Sequence, residues 1–363
     1  MRIALDATYS LGDGLSGVGV YSRELLHGLA ASDFSEARRP PTAAPTDEAG
    51  SLKGWDWFYR SQRYWRALLQ RTPSNVRVRR LSDSSGDRSA ALFHGLNQRL
   101  PELRFRKQVA TFHDLFVLSG DYSTPEFRER FAEQAREAAA AADLIIAVSA
   151  FTASQVEAYL NVPASRIRVI HHGVVPRRIP DLPREKVILC VGAIQRRKNQ
   201  RALVRAFRAA PPDWTLVLAG SQGYEADAVL REVADSPAAG RIQITGYISD
   251  DEVAKWYARA GIFAFPSLDE GFGMPALEAM AAGIPVIAGN RSALPEICRD
   301  ENGLDAALMV DPANDQELAH AIEILTRDED RRTKLAAVGK AHAAKFRWAD
   351  AVKRTIDVYR ELV

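Results

Sequence analysis

The sequence predicts an α/β protein built of two doubly wound, Rossmann-like domains that face each other across a cleft. Three observations predict it. Short apolar runs of strand length alternate with helical patterns along both halves of the chain, the alternation that a parallel, helix-covered sheet needs. Three prolines fall within residues 174–183, a stretch that disfavours helix and suits a connection between domains. The length of 363 residues leaves ample chain for two separate cores.

In the first half the strand candidates are residues 3–5, 91–93, 109–112, 144–148 and 167–170. Residues 37–51 have turn and linker composition where a second strand is expected, and no strand is placed there. In the second half the candidates are 187–191, 216–219, 242–244, 262–265, 286–288 and 308–310. The units are therefore an N-terminal domain over 1–176, a linker over 177–185, a C-terminal domain over 186–345 and a terminal helix over 346–363. In that helix Val352, Ile356 and Tyr359 recur with helical spacing, which makes an apolar packing face.

Charge is nearly balanced at +2, but residues 51–110 carry 13 Lys or Arg against 4 Asp or Glu. Within that basic region, residues 57–71 interleave aromatic residues and arginines at helical spacing. The pattern fits a helix resting on an anionic bilayer and fits an ordinary surface helix equally well. Nucleic-acid binding is disfavoured, because no recognition module accompanies the patch. Cys190 in an apolar run and Cys298 near a helix end are too few for a disulfide or metal framework. A reducing cytoplasm is the simpler reading. The chain opens on a strand pattern, and no run of about 18 apolar residues occurs, so the expectation is a soluble or peripherally attached protein.

The chemistry is expected in residues 262–278, Ile-Phe-Ala-Phe-Pro-Ser-Leu-Asp-Glu-Gly-Phe-Gly-Met-Pro-Ala-Leu-Glu. A buried strand there runs into a glycine-flanked acidic turn and then opens a helix. Gly271 and Gly273 let backbone approach a ligand, and Pro275 suits a first helical turn. Free amides at that end make a seat for an anion. Glu270 is placed on the loop and Glu278 in the first helical turn, although acidic residues near a helix start are also common as simple caps.

Two glutamates separated by seven residues around Gly-Phe-Gly resemble the signature of the retaining family 4 glycosyltransferases. Upstream, Val191-Gly-Ala-Ile-Gln-Arg-Arg-Lys-Asn199 is similar to that family's basic phosphate loop, and Leu216-Val-Leu-Ala-Gly220 and Ile244-Thr-Gly-Tyr-Ile-Ser249 to its strand-and-turn segments. Downstream, Ala279-Met-Ala-Ala-Gly-Ile-Pro-Val-Ile287, Asn290-Arg-Ser-Ala-Leu-Pro-Glu296 and Ala307-Leu-Met-Val-Asp-Pro312 keep its order and spacing. The resemblance implies the GT-B fold, an acceptor-side first domain, a nucleotide-sugar-binding second domain and a terminal helix that crosses back to the first.

It also implies roles. Arg197 and Lys198 would stabilise a departing diphosphate. A charged hydrogen bond contributes roughly 1.5–3 kcal/mol against roughly 0.3–1 kcal/mol for a helix end, so these cations should dominate. The alternative, a solvated basic run at a helix start, is weakened because a helix N-terminus disfavours cations. Glu270 would contact hydroxyls of the donor sugar and Glu278 the ribose. The amides of Gly273 and Met274 would lie near the phosphates, Gly271 and Phe272 are further donor-binding candidates, and Gly246, Tyr247 and Ile248 would frame the base. Gly17 and Gly19, in a glycine-rich strand-to-helix loop over residues 11–23, match the loop that closes over phosphates, though such loops are often merely turns.

His113 follows the strand at 109–112, facing the cleft, where the family's histidine contacts the donor sugar near the reacting carbon; a hydrogen-bonded loop histidine is the plain alternative. His171 and His172 are read as structural or cleft-lining. A metal site is not expected, since no third spaced ligand accompanies them.

The implied activity is transfer of a hexose, mannose favoured, from a nucleotide diphosphate sugar to a saccharide or lipid-linked hydroxyl, with the configuration retained. GDP-mannose is the first donor candidate, and neither metal nor further cofactor is expected. The alternative is a catalytically silent nucleotide-sugar-binding protein. Glycoside hydrolysis ranks low, since no carboxylate pair beyond Glu270 and Glu278 is nominated. A dehydrogenase lacks the dinucleotide fingerprint spacing.

Overall fold

The computed structural model describes residues 2–10, 16–32, 54–59, 76–80, 90–102, 104–175 and 179–363. Among them, β1 (Arg2–Asp6), β2 (Gly54–Tyr59), β3 (Val76–Arg80), β4 (Ala90–Gly95), β5 (Lys107–Phe112), β6 (Leu144–Ala147) and β7 (Ile167–Val169) form one sheet, ordered β3-β2-β1-β4-β5-β6-β7. A second sheet contains β8 (Glu185–Val191), β9 (Thr215–Ala219), β10 (Ile242–Gly246), β11 (Ala260–Phe265), β12 (Val286–Gly289) and β13 (Leu308–Val310), ordered β10-β9-β8-β11-β12-β13. Every recorded pairing between these strands is parallel.

Both sheets are wound the same way: two strands are added outward from the first, and the chain then returns to its other side. At that reversal the flanking connections leave towards opposite faces, which opens a crevice at the carboxyl ends of the strands. In the second sheet the crevice lies between β8 and β11, whose central residues Ile188, Leu189, Ile262 and Phe263 are fully buried. Runs with both faces covered by helices read as unbroken apolar sequence, which is why these strands stand out in the chain.

The first sheet departs from the sequence reading at its edge. Residues 57–59 are the end of β2, which pairs with β1 from Arg2↔Gly54 to Asp6↔Phe58, so the helix expected over 57–71 does not begin there. Aromatic residues favour strands, and a short aromatic run satisfies either period. The rest of that expected helix, residues 60–71, and the linker-like residues 37–51 lie outside the described residues. Among the described residues, no helix is long and apolar enough to cross a membrane.

Local signals set the helix starts. Ser16, Thr124 and Ser149 each cap a helix through the side-chain oxygen, and Ser249 with Glu252 completes a capping box. The last helix, Trp348–Leu362, lays Val352, Ile356 and Tyr359 into the same cluster as Leu25 and Leu29 of the helix Gly17–Ala31. A buried polar chain supports this contact. The Tyr359 hydroxyl meets His94 Nδ1 at 2.6 Å, His94 Nε2 meets Thr111 Oγ1 at 2.8 Å, and Tyr21 reaches the same Thr111 oxygen at 2.9 Å.

Candidate functional site

The loops that leave β8 and β11 converge at the crevice of the second sheet. After β8 the chain makes a short 3-10 turn, Arg196–Lys198, and Asn199 in the left-handed conformation separates it from the helix Gln200–Ala206. The basic run is therefore a turn ahead of the helix and not its first residues. After β11 the chain passes Ser267 and Asp269 to Glu270, and Gly273, at φ +104, caps the helix Met274–Ala281, a conformation that favours glycine.

Glu270 is 6% exposed and Arg197 8%, so their charges need partners. Lys198 Nζ donates to Glu270 Oε1 at 2.5 Å and Arg197 Nη1 to Oε2 at 3.1 Å. Arg197 also donates to the Asp269 carbonyl and lies over the Phe116 ring at 4.6 Å. Burial pushes the Glu270 carboxyl up, but the two cations outweigh it and hold it below its usual range. Burial draws Lys198 down from the ordinary ammonium range, against the pull of Glu270. The triad sets two basic side chains against one carboxylate, a suitable seat for an anion.

Glu278 accepts a hydrogen bond from the Tyr257 hydroxyl at 3.1 Å. It is the fifth residue of its helix, which places it in the second turn rather than the first, so it is not a helix cap.

The opposite wall comes from the first domain. A cleft of about 630 Å³ is lined there by Gly17, His113, Asp114 and His172, and on the second-domain side by Arg197, Lys198, Tyr247, Ile248, Glu270, Gly271, Phe272, Gly273, Met274 and Glu278. Two nominated residues do not line it. Gly19 is buried in the first turn of the helix Gly17–Ala31, with its amide bonded to Ser16 Oγ at 3.3 Å; the chain thus turns helical at Gly17, inside the stretch read as a loop. Gly246 ends β10, and its carbonyl accepts from the Gly220 amide.

His113 Nε2 lies 2.9 Å from the Leu96 carbonyl. A carbonyl only accepts, so Nε2 carries the hydrogen and Nδ1 is left as an acceptor. Burial lowers this imidazole to about 4, against the Leu96 hydrogen bond, so it is neutral. Its ring meets Tyr21 edge-on at 4.7 Å. Burial raises Asp114 to about 6, with Arg197 pulling the other way.

A seam joins the two walls directly. Ser119 Oγ donates to Asp269 Oδ2 at 2.5 Å, and Ser149 and Thr152 donate to the Gly271 carbonyl at 2.7 and 3.1 Å. Gly271 has to be glycine, since a Cβ there would fall 1.7 Å from the His113 carbonyl oxygen. Beside it, Glu296 accepts from the amides of Ala150 and Phe151 and meets His171 Nε2 at 2.6 Å. Sequence reasoning assigned no site role to Asp114, Asp269, Ser119 or Glu296. Asp114 and Asp269 each adjoin a nominated residue, which was the available signal. Ser119 and Glu296 gain their partners only through domain packing.

Comparison with known proteins agrees with this architecture. A family model described as "Glycosyl transferases group 1" matches residues 177–342, and one described as "Glycosyltransferase Family 4" matches residues 15–178. The chain is 31% identical to the O-antigen chain mannosyltransferase B of Escherichia coli over 96% of its own length and 97% of that protein. It is 30% identical to the serotype-specific mannosyltransferase WbdA of Escherichia coli over 71% of this chain and 34% of that longer protein. Sucrose-phosphate synthase from Thermosynechococcus elongatus has the same fold, with a TM-score of 0.75 at 22% identity, covering 99% of this chain and 98% of the other.

Proposed function

Because the chain belongs to the glycosyltransferases of group 1 and family 4 and has their GT-B fold, we propose that it moves mannose from GDP-mannose to a saccharide hydroxyl with the anomeric configuration retained. The observation that carries this reading is the buried Glu270–Arg197–Lys198 triad at the mouth of the β8–β11 crevice. An anionic diphosphate is the ligand that two cations held side by side at the cleft favour, and fixed charges aimed at a leaving group lower the barrier to its departure.

In this reading Arg197 and Lys198 take up the charge on the departing diphosphate, with the amides of Gly273 and Met274 beside them. Glu270, already oriented by the cations, accepts hydrogen bonds from hydroxyls of the donor sugar, and Glu278 from the ribose. Tyr247 and Ile248 border the base. The neutral imidazole of His113 stands near the reacting carbon. The acceptor oxygen bonds to that carbon as its bond to the diphosphate breaks. The diphosphate leaves with the electron pair, and its oxygen on the same face takes the hydroxyl proton. Mannose as the sugar is supported by the name of the relative that spans the whole chain.

The test is incubation of the purified protein with GDP-mannose, and separately with UDP-glucose, in the presence of an octyl mannobioside. Release of GDP with formation of an α-linked trisaccharide by NMR is the expected result. A β-linkage would overturn retention, and turnover of UDP-glucose alone would overturn the donor. Binding of GDP-mannose with no turnover would favour a silent binding protein.

A further inference from the structure

The first-domain wall of the cleft holds a carboxylate that neither folding nor the donor site accounts for. Asp114 lies one residue past His113 at the carboxyl end of β5 and borders the cleft. It packs against the Gly271 turn so closely that a Cβ on Gly271 would fall 2.8 Å from Asp114 Cβ. Among the described residues it makes no hydrogen bond or ion pair. The contrast with Glu270, which is gripped by two cations, is sharp. A largely desolvated carboxylate without a partner opposes folding, whereas an asparagine or serine of similar size would not. Unpaired groups of this kind concentrate at functional sites.

The chemistry of the wall narrows what the carboxylate is for. A diphosphate is repelled by it and is already served by Arg197 and Lys198 across the cleft. A neutral ligand that donates hydrogen bonds is attracted, and the neighbouring His113 Nδ1 is likewise an acceptor. We propose that Asp114 is the anchor for the acceptor: its carboxylate accepts the hydrogen bond of the incoming sugar hydroxyl and holds that oxygen opposite the donor sugar seated at Glu270. The inference rests on the transferase reading above and adds a residue to its acceptor side. The route of the proton is unchanged.

Charged groups face Asp114 from each packed element: Arg197 and Lys198 from the loop after β8, Asp269 and Glu270 from the loop after β11, and His113, neutral, on its own strand end. Arg197 and Lys198 favour its ionised form, while burial and the two acids oppose it, so it titrates near 6. Anchoring by the carboxylate should therefore weaken as the pH falls through that value.

The experiment compares wild-type protein with Asp114→Asn, using GDP-mannose as donor and octyl mannobioside as acceptor. A hydrogen bond to a charged group accounts for roughly 10- to 100-fold in affinity, so the variant's acceptor KM should rise by about that factor while its affinity for GDP, measured by calorimetry, stays within about twofold. Unchanged GDP affinity also reports an intact fold. The wild-type acceptor KM should rise as the pH drops below about 6, and that of the variant should not. An acceptor KM within about threefold of wild type, well below the effect of one charged hydrogen bond, overturns the anchor. So does loss of GDP binding in the variant, which would put Asp114 on the donor side. A wild-type protein that neither binds GDP nor turns over GDP-mannose overturns the transferase reading itself, and this inference with it.

Discussion

The second-domain wall of the cleft carries Arg197, Lys198 and Glu270 in contact, whereas the first-domain wall carries a neutral His113 and a carboxylate, Asp114, that makes no hydrogen bond or ion pair among the described residues. Both walls bury titratable groups, and they do so by opposite means. The second closes two cations on one buried glutamate. The first suppresses charge on the His113 imidazole and leaves the Asp114 carboxylate without a direct hydrogen bond among the described residues. The difference underlies the proposed division of the cleft by ligand type, with cations offered to an anion on one side and hydrogen-bond acceptors offered to a neutral sugar on the other.

The strongest way to break that division is to remove a cation from the paired wall. Lys198→Met leaves Glu270 with Arg197 alone, and loss of one preorganised stabilising group should lower transfer turnover by about 10²–10³-fold. GDP affinity should fall much less, and calorimetry beside steady-state kinetics separates the two. Equal losses in both would mean that the wall binds the diphosphate without favouring its departure.

The next test acts where the walls meet. Gly271→Ala would put a methyl group 1.7 Å from the His113 carbonyl, so the seam must open to admit it. Misplacement of reacting groups by about 1 Å costs on the order of 10²-fold, and the variant should lose about that much turnover with little change in its melting temperature. Retention of full activity would show that closure along this seam is not needed for the reaction.

The mildest test sharpens the contrast in protonation. His113 is lowered to about 4 and His94 to about 3, in both cases chiefly by burial. The folded state then binds fewer protons than the unfolded chain between the ordinary histidine range and those values. The stability these groups confer is present above the unfolded pKa and is lost as the pH falls towards the folded one. Each contributes a slope of at most about 1.4 kcal/mol per pH unit. Urea unfolding of His113→Asn between pH 6.5 and 4 should show a shallower fall than wild type. An unchanged slope would mean that His113 is already protonated in the folded protein.

Much of this organisation was legible in the chain. The doubly wound architecture, the acidic turn at Glu270 and the basic turn at Arg197–Lys198 all rest on features within about twenty residues. The edge of the first sheet was not legible, because the aromatic run at 57–59 satisfies a strand as well as a helix. Nor was the exclusion of Gly19 and Gly246 from the cleft, since both are glycines at element ends whose amide or carbonyl is taken up by a near neighbour in space. Glu278 was placed one turn too early: with Gly273 as the cap, it is the fifth residue of its helix.

By itself the sequence determined which segments become strands and helices and which turns gather glycine, acid and base, because burial periodicity, capping and backbone freedom act between neighbours in the chain. Only the tertiary structure decided that Arg197 and Lys198 both close on Glu270, some 72 positions away, and that Ser119, Ser149 and Thr152 of the first domain hold the loop that carries it. Those contacts depend on strand order and on how the loops of the two domains pack against each other. Nothing in the local pattern encodes that arrangement, since any pair of acid and base can meet once the fold brings their strands' ends together.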